Sequence, residues 1–160
     1  METLELVGQT LLVGLLAGWL LLGVVENIRF PEINRSLVRA VLNMERIREE
    51  QPAIYEMCKG NRITSDAVHR GLFAVIVAAE CVAVAVLLWG TAALALAVIG
   101  AADPAYARLV AGWGTVMFTA IWGAFLVGGQ WVHYWAAWKD TQSTHYFMTL
   151  WGVVTFIALT

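Results

Sequence analysis

One acidic residue interrupts an otherwise apolar run. Glu80 follows Phe73-Ala-Val-Ile-Val-Ala-Ala and precedes Cys81-Val-Ala-Val-Ala-Val-Leu-Leu-Trp. Counted from the start of that run it lies roughly 15 Å along a helix, near the middle of an apolar layer. An ionisable side chain at such depth is costly, and by default it marks function. It could relay a proton, contact a quinone or ligate a cation. The alternative is a carboxyl hydrogen-bonded to a neighbouring helix, which fixes packing only. No second charged residue shares its depth to make a relay.

Three histidines form the second set. His69 opens the run that holds Glu80, and His133 and His145 flank a polar stretch further on. Neutral imidazole ligates haem iron and other metals, so these residues could bridge helix ends around a cofactor. They lack the His-x-x-x-His spacing that puts two ligands on one helix face. Histidines beside Trp and Tyr also occur as ordinary residues of an interfacial belt. The third set is aromatic: Gln130, Trp131, Tyr134, Trp135 and Trp138. Rings with one apolar and one polar end sit well at headgroup depth. The same residues, with Lys139, Asp140 and Gln142 on the rim, could line a quinone-head or lipid pocket. Gly14 and Gly18 make a Gly-x-x-x-Gly pair, and Gly123 belongs to a second small-residue series; both allow backbones to approach closely.

The elements that must position these residues follow from composition. Of 160 residues, 60% are hydrophobic and 14% charged. Soluble domains carry about 25% charged residues, so the composition points to an integral membrane protein. Ten basic against twelve acidic residues give a net charge of −2, which offers no footprint for nucleic acid. Cys58 and Cys81 lie far apart in different surroundings, unlike a disulfide framework or a zinc knuckle. No phosphate-binding loop, nucleophile elbow, His-Glu-x-x-His or Cys-x-x-Cys motif is present.

A bilayer core needs about 20 apolar residues per helix. Four spans are expected: residues 6–25, 71–90 (extending to 102), 107–131 and 146–160. Glu2 and Glu5, with no Lys or Arg beside them, argue against a cleaved signal peptide. The run from Gly71 to Ala102 would reach about 48 Å as one helix, and a break or kink is expected near Trp89-Gly90-Thr91. The last span is short for a bilayer, which calls for thinning or partners. Arg29, Arg35, Arg39, Arg46, Arg48, Lys59, Arg62 and Arg70 all fall between the first two spans. Basic loops face the cytoplasm, so segment 26–70 is expected inside and both termini outside. Within it Asn34 can cap an amphipathic helix running from Arg35 to Pro52, lying on the membrane or capping the bundle. A second short helix covers Ala53 to Lys59, and Asp66 caps the entry to the second span.

Three stretches carry a family resemblance. They are Asn27-Ile-Arg-Phe-Pro-Glu-Ile-Asn34 leading into Leu37-Val-Arg-Ala-Val-Leu-Asn-Met-Glu45, then Glu80-Cys81, then Gly128-Gly-Gln-Trp131 followed by Trp135. In their order the chain resembles a bacterial family of small four-span integral membrane proteins of unknown function. That family usually carries Glu where this chain has Gln130. The resemblance implies a polytopic inner-membrane protein of a Gram-negative bacterium, with no established activity, cofactor or catalytic residue. The leading expectation is a non-catalytic accessory or stabilising subunit of a larger inner-membrane complex, of respiratory, photosynthetic or dehydrogenase type. Its partners would be membrane lipids and other membrane subunits or copies of itself. A small redox anchor holding haem or quinone is the alternative, and an oligomeric transporter or channel using Glu80 is the second.

Overall fold

A computed structural model describes residues 1–160, and the fold is all-helical. Four long helices dominate: α1 (Glu2–Arg29), α5 (Asp66–Val98), α6 (Pro104–Trp131) and α7 (Lys139–Ile157). Three shorter ones, α2 (Pro31–Leu42), α3 (Glu45–Glu50) and α4 (Pro52–Cys58), connect α1 to α5. Short 3-10 turns cover Lys59–Asn61 and Tyr134–Ala136.

The long helices pack in chain order, each antiparallel to the next. Asn27 of α1 bonds Glu80 of α5, whereas Gly14 of α1 faces Thr91. Rising numbers on one helix therefore meet falling numbers on the other. Gly90 and Gly114 make the α5–α6 seam, where a Cβ on Gly90 would stand 2.6 Å from Ala111 Cα. The ring closes where Trp19 of α1 meets Trp151 of α7 edge-on, with centroids 6.4 Å apart. Val13, Leu16, Leu20, Leu87, Leu94 and Phe118 fill the centre and are fully buried. α1, α5 and α6 are long and apolar enough to cross a membrane. α7 is not among them: its first two turns carry Lys139, Asp140, Gln142, Ser143 and Thr144.

α5 does not break at Gly90. It is one helix of 33 residues, about 50 Å long. Glycine in a helix interior costs up to ~1 kcal/mol relative to alanine, and here the missing Cβ is what lets α6 approach. The excess length goes elsewhere. Because Asn27 in the last turn of α1 meets Glu80, the first part of α5 runs past the end of α1 by about 18 Å. Measured along α1, Glu80 is level with that polar last turn; along α6, where Gly114 meets Leu87 and Gly90 meets Ala111, the same antiparallel register puts it opposite about residue 121, inside the apolar run. A depth counted along α5 alone misses this offset.

The connecting segment packs beside this overhang. The helix expected from Arg35 to Pro52 instead begins at Pro31 and ends at Leu42. Proline needs no helical partner for its nitrogen at a first-turn position, so α2 starts there, kinked against α1 at Phe30 (φ −134°, ψ 56°). Asn34 lies inside α2 and uses its side chain elsewhere. Met44 is left-handed (φ 55°) and separates α2 from α3. That conformation costs a side-chain-bearing residue about 1–2 kcal/mol; Met44 is wholly buried, so packing offsets it. Pro52 opens α4, and α5 is capped by Ser65, whose hydroxyl accepts from Val68 N, not by Asp66.

A second apolar cluster joins this segment to the α6–α7 connection. Leu42, Met44 and Ile47 pack with Val132, Tyr134 and Trp138. The Ile63 amide donates to Leu42 O at 3.0 Å, and Asn61 Nδ2 donates to Trp131 O at 2.9 Å. The segment thus closes one end of its own bundle.

Candidate functional site

Glu80 is buried in α5 and faces α1. Asn27 Nδ2 donates to its Oε2 at 2.8 Å, and Asn34 Nδ2 donates to Asn27 Oδ1 at 2.7 Å. Three side chains from α5, α1 and α2 thus form one line across the kink at Phe30. An amide neither ionises nor takes up a proton near neutral pH. The line can orient a carboxyl and satisfy it, but the amides do not titrate in sequence to pass a proton on. The sequence reading missed both asparagines. Their seven-residue separation, two helical turns, was the available signal.

The histidines occupy separate surroundings. His69 is buried at the start of α5; its Nε2 lies 2.9 Å from Ile63 O, and its Nδ1 is 3.7 Å from Asp66 Oδ1. His133 adopts a left-handed backbone (φ 54°) and stands 6.2 Å from the Trp135 ring. His145 sits among rings, with centroids of Phe125 at 4.9 Å, Trp122 at 5.6 Å and Tyr134 at 5.9 Å. Tyr134 Oη is 3.4 Å from His145 Nδ1. Burial pushes the Tyr134 hydroxyl up to about 12, so it stays protonated and is able to donate to His145 Nδ1. No three His, Cys, Asp or Glu side chains come together as a metal-binding group.

The aromatic set divides. Tyr134 and Trp138 are buried in the second cluster, with the Arg46 guanidinium 4.7 Å over the Trp138 ring. Gln130, Trp131 and Trp135 face outward. Gly129 lets the Tyr134 ring approach: a Cβ there would lie 2.5 Å from the ring. At the opposite end of the bundle a cleft of about 430 Å³ holds a polar tie that the sequence reading did not find. Arg108 Nε donates to Gln9 Oε1 at 3.0 Å, and Gln9 Nε2 donates to Ala158 O at 2.8 Å, joining α6, α1 and the end of α7.

The glycines fall into two sets. Gly90, Gly114, Gly129 and Gly152 are packed so tightly that a Cβ would collide with a neighbour. Gly14 stands 3.3 Å from a Thr91 methyl, counted from its ideal Cβ position. Gly18, Gly123 and Gly128 have nothing within 4 Å of that position. On α6 the last two share a face with Ala120, Ala124 and Val127, which are exposed. The Gly14–Gly18 pair is therefore split, one member used within the chain and the other facing out.

The family described as "Predicted small integral membrane protein (DUF2165)" matches residues 5–160, and the chain belongs to it. No curated protein and no solved structure matches the chain.

Proposed function

We propose that the protein is a non-catalytic accessory or stabilising subunit of a larger complex in the bacterial inner membrane, of respiratory, photosynthetic or dehydrogenase type. The outward small-residue faces carry this reading. Gly18 on α1, and Gly123 and Gly128 on α6, serve no contact within the chain. Membrane helices associate through close backbone approach at small residues, and these positions suit a partner helix. The polar interior points the same way, because Glu80 accepts from Asn27, which Asn34 holds in turn.

In this reading α7 is a fourth span, in keeping with its antiparallel place against α6. Its polar first turns are best covered by a partner. The basic residues between α1 and α5 put α2–α4 on the cytoplasmic side, and both termini outside.

The test is the native mass of the tagged protein, extracted from its own membranes in mild detergent, with co-purifying chains identified. Recovery in a defined larger complex is expected. Recovery alone or as a small homo-oligomer overturns the subunit reading.

A further inference from the structure

A cleft of about 240 Å³ opens between α2 and the overhanging start of α5. Its walls carry Arg35, Ser36 and Arg39 from α2, and Asp66, His69 and Arg70 from α5. Glu32 also lines it but is paired with Arg35. Arg39 and Arg70 belong to none of the four ion pairs in the structure. Two guanidinium groups therefore line one cleft with neither of its carboxylates, Glu32 and Asp66, paired to them.

His69 supplies an independent sign. Its side chain is almost wholly buried, yet its Nδ1 has no hydrogen-bond partner. Ile63 O can only accept, so Nε2 carries the proton of that bond and Nδ1 is left over. Asp66, at 3.7 Å, is too far to bond it and is itself exposed. A buried polar atom without a partner carries a cost, and a hydroxyl donor from a ligand in the cleft would remove it.

The surroundings identify the ligand's chemistry. The apolar run of α5 begins immediately after Arg70, with Leu72 exposed. On α2, Ile33 and Leu37 are exposed beside the cleft residues. Arginine recognises phosphate through paired N–H donors, and basic pockets at the ends of membrane helices hold lipid headgroups. The geometry points to a binding site for the phosphate of an anionic phospholipid headgroup, held by Arg39, Arg70 and Ser36, with a hydroxyl of the same headgroup donating to His69 Nδ1. Ile33, Leu37 and Leu72 would meet the first methylenes of the acyl chains. The site is independent of any partner subunit.

The experiment is native mass spectrometry of the detergent-purified protein titrated with phosphatidylglycerol, phosphatidylcholine or inorganic phosphate. Wild type is expected to retain phosphatidylglycerol in preference to phosphatidylcholine. Arg39→Gln and Arg70→Gln, both at exposed positions, should each weaken retention about tenfold, with an unchanged circular dichroism spectrum. Inorganic phosphate that displaces the lipid only at high concentration fits the lipid as ligand. Inorganic phosphate that binds as tightly as the lipid would instead overturn the lipid source. Equal retention by wild type and both variants, or equal retention of the two lipids, overturns the site.

Discussion

Gly114 and Gly123 lie on opposite faces of one helix, α6. A Cβ on Gly114 would stand 2.9 Å from the Leu87 backbone of α5, whereas one on Gly123 would meet nothing within 4 Å. The residue type is the same, and the consequences of losing it are opposite. On the inner face glycine sets the distance between two helices of this chain. On the outer face it leaves a groove that the chain does not fill. Glycine content alone therefore says little about association; the register against neighbouring helices decides which face a glycine serves.

Substitutions can sharpen or break this contrast. Gly90→Leu should have the largest effect, because its side chain would enter the Ala111 backbone. A loss of about 3 kcal/mol or more is expected, read as loss of the folded species in detergent unfolding. If Gly90→Leu folds as well as wild type, the seam is looser than described. Asn27→Leu comes next. It strips Glu80 Oε2 and Asn34 Nδ2 of their shared partner, at about 2 kcal/mol by the same assay.

Glu80→Gln should cost less, about 1 kcal/mol, because its amide oxygen can still accept from Asn27. A cost as large as that of Asn27→Leu would show that Glu80 contributes as an ion and not as a neutral acceptor. Gly123→Leu should be the mildest for the isolated chain, within about 0.5 kcal/mol of wild type. Under the subunit reading it should nevertheless lower the native mass at which the tagged protein is recovered. An equal destabilisation by Gly123→Leu and Gly90→Leu would erase the distinction between the two faces.

The long helices were legible because their apolar runs are. Residues 6–25 lie within α1, 107–131 within α6, and the 71–102 run almost fills α5. Glu80 was legible for the same reason, as the exception to such a run. Its partners were not. That Asn27 reaches Glu80 depends on the offset between α1 and α5, which is a property of two segments packed together. Gly90 has one appearance in sequence whether it ends a helix or admits a neighbour, and only Ala111 opposite it decides. Met44 gave no warning at all: its left-handed backbone is held by burial in a cluster assembled from distant segments.

The offset between α1 and α5 also bears on how the chain is made. Asn27 precedes Glu80 by 53 residues, so the amide donor on α1 is synthesised before the carboxyl it meets. The carboxyl then arrives opposite a waiting donor, at the level of a polar helix end. The costliest side chain in the apolar run thus finds its donor on a helix that precedes it in the chain.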